Sequence, residues 1–147
     1  METTRKLPVV ARALLGLAFT VFGANALLGF MPTPPVAPAA GAFLGALGAT
    51  GYLLPLLVAV EVGAGLMLLA GRAVPLALVL LAPVLVNVVA FHLFLDPAGL
   101  PLPLVLLAVE LYLAWTHREA FAPLFRARAA RPEGGRPAHG RVLQPEA

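Results

Sequence analysis

Five side chains of this sequence bring hydrogen-bonding or proton-exchanging chemistry into otherwise apolar stretches: Asn25, Glu61, Asn87, His92 and Glu110. Two carboxyls, two amides and an imidazole can grip a polar head group, exchange protons with it, or hydrogen-bond to one another. Helices that cross a bilayer seldom keep such groups without a use. Other chemistries find less support. A haem held between helices needs paired axial histidines, yet His117 lies at the far end of the last apolar stretch and His139 in the tail. No Glu-x-x-His pair suggests a di-iron centre. One histidine with two acids is a thin donor set, so no metal is expected. The chain has no cysteine, hence no thiolate ligand, thiol nucleophile or disulfide. Neither a glycine-rich phosphate loop nor a Ser/His/Asp arrangement is evident.

The elements that must position these residues follow from charge and hydropathy. Of 147 residues, 61% are hydrophobic and 12% charged, and mean hydropathy is +0.93. Residues 13–60 and 73–95 contain no Asp, Glu, Lys or Arg. Each stretch exceeds the ~20 residues that cross a hydrocarbon core, so the chain is an integral membrane protein. The expected fold is all-α, a membrane four-helix bundle with spans at about 9–30, 52–70, 75–95 and 100–117. A basic start, an apolar run and Ala37-Pro38-Ala39 mimic a signal peptide. The run is longer than a signal core, and the rest of the chain is itself membranous, so it reads as a retained span.

Proline and glycine punctuate the connections. Pro32, Pro34, Pro35 and Pro38 make the first connector extended. The glycine-rich run at 41–51 reads either as a short surface helix, with Phe43, Leu44 and Leu47 toward lipid, or as an early start to the second span. Gly71-Arg72-Ala73-Val74 is a tight hairpin, and Pro83 is expected to kink the third span and free a carbonyl near residue 79. Asp96-Pro97-Ala98-Gly99 is a turn between the third and fourth spans. Tyr112 and Trp115 stand where aromatic anchors belong. A surface helix is expected to follow from residue 118 and present Phe121, Leu124 and Phe125 to the membrane. The domain thus covers 1–125, and 126–147 is a basic, Pro/Gly-rich tail read as disordered.

Orientation follows from the cations. Arg5, Lys6, Arg12, Arg72, Arg118 and the five tail arginines all fall on one face of the four-span arrangement. That face is expected to be cytoplasmic, with both termini on it, in a multi-pass protein of the cell (inner) membrane. The same placement explains the pI near 10.2 without nucleic acid as a partner. A weak repeat also shows. Gly51-Tyr-Leu-Leu-Pro55 leads to Glu61, Gly99-Leu-Pro-Leu-Pro103 leads to Glu110, and each follows a stretch carrying one asparagine.

Helix rise places Glu61 and Glu110 about 13–15 Å, and Asn87 about 12 Å, from the outer ends of their spans, with Asn25 and His92 shallower. No cation shares that depth, and an ionised carboxylate there costs roughly 2.5–3.5 kcal/mol. The acids are therefore expected to be protonated, hydrogen-bonded to Asn25, Asn87 or His92, or paired with a bound group. The sharper reading is one polar pocket, opened to the outer leaflet and built from all five. The plainer reading is interhelical hydrogen bonds worth about 0.6 kcal/mol each.

Glu61-Val-Gly63-Ala-Gly65 leading to Gly71-Arg72, the first stretch with Gly16 and Gly23, and Asn87 with Phe91-His-Leu-Phe-Leu-Asp-Pro-Ala-Gly-Leu-Pro resemble the DoxX family of small four-span membrane proteins. The resemblance covers about residues 11–125. It implies a subunit or accessory protein of a membrane redox module, with quinone as the candidate ligand. Other subunits of such a complex, a second copy of the chain and the lipid bilayer are then the partners. It implies no catalytic residues, because most members of the family have no assigned reaction.

Overall fold

A computed structural model describes residues 2–32 and 34–125 of the chain. Among them there is no strand. Six α-helices follow in order: α1 (Glu2–Leu28), α2 (Pro38–Ala49), α3 (Leu53–Ala70), α4 (Val74–Phe94), α5 (Pro101–Thr116) and the single turn α6 (Arg118–Phe121), with 3-10 turns at Pro97–Gly99 and Ala122–Phe125. The expected tail at 126–147 lies outside the described residues. Three segments are long and apolar enough to cross a membrane: Lys6–Leu28, Leu53–Ala70 and Val74–Phe94. α5 is apolar but only 16 residues long, about 24 Å at helical rise. Residues 38–49 form a helix of their own, which decides between the two readings of the glycine-rich run. Thr50 separates it from α3: its hydroxyl donates to the Leu47 carbonyl at 2.7 Å and accepts from the Leu53 amide at 3.1 Å.

α1 packs against α3 and α5, and α4 packs against the same two. The four therefore close a ring in which α1 stands across from α4 and α3 across from α5. Leu15, Leu68, Leu81, Leu85 and Leu113, one or two from each of these helices, are fully buried at the centre. The tightest seam is α1 on α3. A Cβ on Gly16 would sit 2.8 Å from the Gly65 carbonyl oxygen, and one on Gly65 would sit 2.5 Å from Thr20 Oγ1 and 2.9 Å from the Gly16 carbonyl oxygen. Small residues let two backbones meet here, the packing that replaces hydrophobic drive when the solvent is lipid.

Arg12 ties the same pair together at one end. Its Nη1 donates to the Leu68 carbonyl at 2.8 Å, one of the orphan acceptors at the end of α3. Gly71 closes that end in the left-handed region, at φ +67, with its amide on Leu68 O and the Arg72 amide on Met67 O, a Schellman cap. A side chain at Gly71 would also collide with the Arg12 guanidinium. Ala73, at φ +50, completes the hairpin into α4.

Candidate functional site

A hollow of about 660 Å³ lies under α2, walled by α1, α3 and α4. α2 roofs it with Phe43, Leu44 and Leu47, and the ring of Phe43 meets that of Phe91 on α4 at 5.7 Å. Three of the five expected polar residues border this space: Glu61 from α3, and Asn87 and His92 from α4. Glu61 stands nine residues into α3 and Asn87 eight residues from the end of α4. In antiparallel neighbours that brings the acid and the amide to one level, with His92 about 8 Å nearer the α2 end. The remaining wall is hydrocarbon and aromatic ring.

Two of the three polar groups are held by hydrogen bonds, and the acid is not. Glu61 Oε2 lies against Gly23 of α1, where a Cβ would come within 3.0 Å of both Oε2 and the Glu61 Cβ. Glycine there makes room for the carboxylate, which has no hydrogen bond among the described residues. Asn87 Nδ2 donates to the Pro83 carbonyl at 3.2 Å, leaving its Oδ1 as a free acceptor. Pro83 itself lacks the N–H that would pair with the Val79 carbonyl one turn back. His92 Nδ1 approaches the Asp96 carbonyl at 3.2 Å and Asp96 Oδ2 at 3.4 Å. Two acceptors facing Nδ1 assign a proton to that nitrogen. The ring is further fixed edge-on to Phe91, with centroids 5.1 Å apart. It also covers Gly99, where any side chain would strike it.

The other two residues do not join them. Asn25 is buried, but its Oδ1 accepts from the Met31 amide at 2.7 Å, and the Gly29 amide binds the Asn25 carbonyl at 2.8 Å. The side chain finishes α1 and turns the chain at Gly29, φ +59; it does not line the hollow. Glu110 borders a separate groove of about 670 Å³ between α4 and α5, closed at one end by α6. The expectation of one pocket shared by five polar residues is thus corrected to a cluster of three. The reason is the order of packing: α3 and α5 are not neighbours in the ring, so acids at matching heights border different spaces.

Sequence reasoning missed four residues of this arrangement. Gly23 and Phe91 enter the sequence reading only through the family resemblance, and Asp96 and Gly99 chiefly as parts of a turn. The i, i+4 spacing of His92 and Asp96 was the available signal for the imidazole's partner. Among the described residues no group of three or more His, Cys, Asp or Glu could hold a metal. No protein family, curated protein or solved structure matches the chain.

Proposed function

We propose that this chain is a DoxX-like four-span protein of the cell membrane, a non-catalytic subunit or accessory of a quinone-linked redox module, and that the hollow under α2 receives the ligand. The observation carrying this reading is the convergence of Glu61, Asn87 and His92 on one otherwise apolar space of about 660 Å³, in the size range of small-molecule sites. A flat, amphipathic ring with hydrogen-bonding oxygens fits both parts of that wall. The Asn87 amide and the neutral Glu61 acid can donate to such oxygens, while His92, when neutral, accepts at Nε2 from a hydroxyl of the reduced form. Phe43 and Phe91 supply apolar faces for the ring. α5 is counted as the fourth span with help from α6, and the arginine-bearing ends, both termini included, are assigned to the cytoplasm.

The test is to purify the protein in mild detergent, extract it and assay for bound quinone, then titrate the emptied protein with a short-chain quinone. Bound or saturably binding quinone supports the reading. Absence of both overturns it.

A second reading has its own observation. Asn25 and Asn87 both spend a polar atom on backbone within six residues, as expected of a membrane scaffold or small-solute carrier whose polar residues are structural. Glu61→Gln and Glu110→Gln variants that stay folded and leave a redox phenotype untouched would favour it.

A further inference from the structure

The inner wall between α4 and α5 holds an acid that the hollow under α2 does not use. Glu110 is 4% exposed, and neither of its carboxyl oxygens has a hydrogen-bond partner among the described residues. It borders a groove of about 670 Å³ whose other walls are almost wholly apolar, Leu78 and Ala82 from α4 and Leu107 from α5 among them. An unpaired carboxyl in such surroundings costs several times what a satisfied one does. Something that hydrogen-bonds it would recover that cost. The charge of the groove narrows the class. Its only other charged member is Arg118, whose guanidinium carbon lies 5.3 Å from the centre of the Trp115 ring and whose Nη1 donates to the Trp115 carbonyl at 3.3 Å. Those two groups are of opposite charge when ionised, so a ligand with no net charge is opposed by neither, and an uncharged hydroxyl suits an acid in apolar walls.

We propose that the groove between α4 and α5 is a second binding site, for a neutral, predominantly apolar molecule carrying one hydroxyl, which Glu110 hydrogen-bonds. As the neutral acid, Glu110 offers one O–H donor and a carbonyl acceptor, so a single hydroxyl satisfies both. Three rotatable side-chain bonds let the carboxyl swing from the groove wall toward the bound hydroxyl. Val79, Leu111 and Trp115 are exposed along the sides of the groove, so the ligand enters sideways from lipid and needs no aqueous path. The site does not depend on what occupies the hollow under α2.

The experiment uses the unaltered full chain in phosphatidylcholine vesicles. Dicyclohexylcarbodiimide, a lipid-soluble reagent for neutral carboxylic acids, is added with 1-dodecanol, dodecane or dodecylamine, and labelling of Glu110 and Glu61 is read by peptide mass spectrometry. Expected is labelling of Glu110 that dodecanol suppresses about tenfold when it stands at about ten times its dissociation constant. Glu61 labelling in the same sample should stay unchanged. Three outcomes overturn the proposal: Glu110 unlabelled while Glu61 reacts, equal protection by dodecane, or stronger protection by dodecylamine. Trp115, the chain's one tryptophan, gives a second readout. Its emission should change saturably with dodecanol, and that saturation should disappear in E110L; a saturable change that persists in the variant also counts against the site.

Discussion

Glu61 and Glu110 close the two halves of a weak sequence repeat, nine and ten residues into their helices, yet the fold treats them oppositely. Glu61 stands half-buried beside an amide and an imidazole, in a hollow roofed by a separate helix. Glu110 is almost fully buried and alone. The difference is made by their neighbours. α3 is drawn tightly onto α1 by Gly16, Gly23 and Gly65, with the Glu61 carboxyl lying against Gly23 on the edge of the hollow under α2. No such glycine seam draws α5 in, and after the short 3-10 turn at Pro97–Gly99 it packs on α4 and α1, away from α3. Like residues at like heights therefore acquire unlike surroundings, and a repeat in sequence does not become a repeat in environment.

The most disruptive way to break the contrast is at the α1–α3 seam. Gly65→Val should cost about 1–3 kcal/mol through overpacking, because the Thr20 hydroxyl and the Gly16 carbonyl already occupy the space a side chain needs. Thermal unfolding in detergent measures the loss. If the contrast is right, quinone binding falls with it while carbodiimide labelling of Glu110 persists; loss of both together would show that the two spaces are one unit.

A change at the acid itself is gentler. Glu61→Leu should weaken a titrated short-chain quinone roughly tenfold, equivalent to about 1.4 kcal/mol, with Glu110→Leu leaving that affinity unaltered. Equal effects from the two variants would erase the distinction between the sites. Gly23→Ala should fall in the same direction as Glu61→Leu but short of it, since its Cβ displaces the carboxylate without removing it.

The smallest effect is expected at Asn25. Asn25→Ala removes the acceptor of the Met31 amide and should lower stability by about 1 kcal/mol, seen as a lower melting temperature. Quinone affinity should not move, because the residue serves the end of α1 and not the hollow. A change in affinity at full stability would return Asn25 to the site.

Much of this was legible beforehand. The charge-free runs gave apolar helices wherever they were expected, and Gly71 and the Asp96–Gly99 turn fell at the hairpins. The helix starts at Leu53 and Pro101 came within a residue of expectation. α1 ends at Leu28, short of residue 30, because Asn25 and Gly29 cap it early. Depth along each helix was also readable, which is why Glu61 and Asn87 do lie level. Azimuth was not. In lipid-facing helices the apolar residues run all the way round, so there is no amphipathic stripe to say which neighbour a given acid faces.

Composition and periodicity by themselves determined that this chain forms apolar helices long enough to cross a membrane, and at what heights along them five polar residues stand. Both follow from local counting: the length of an apolar run and the rise per residue. Only the tertiary structure decided that three of those groups border one hollow under α2, that one finishes its own helix, and that one is left unpaired between α4 and α5. Those outcomes depend on which helix packs beside which. That order is set by where glycine lets backbones touch, a contact between residues some fifty positions apart in the chain.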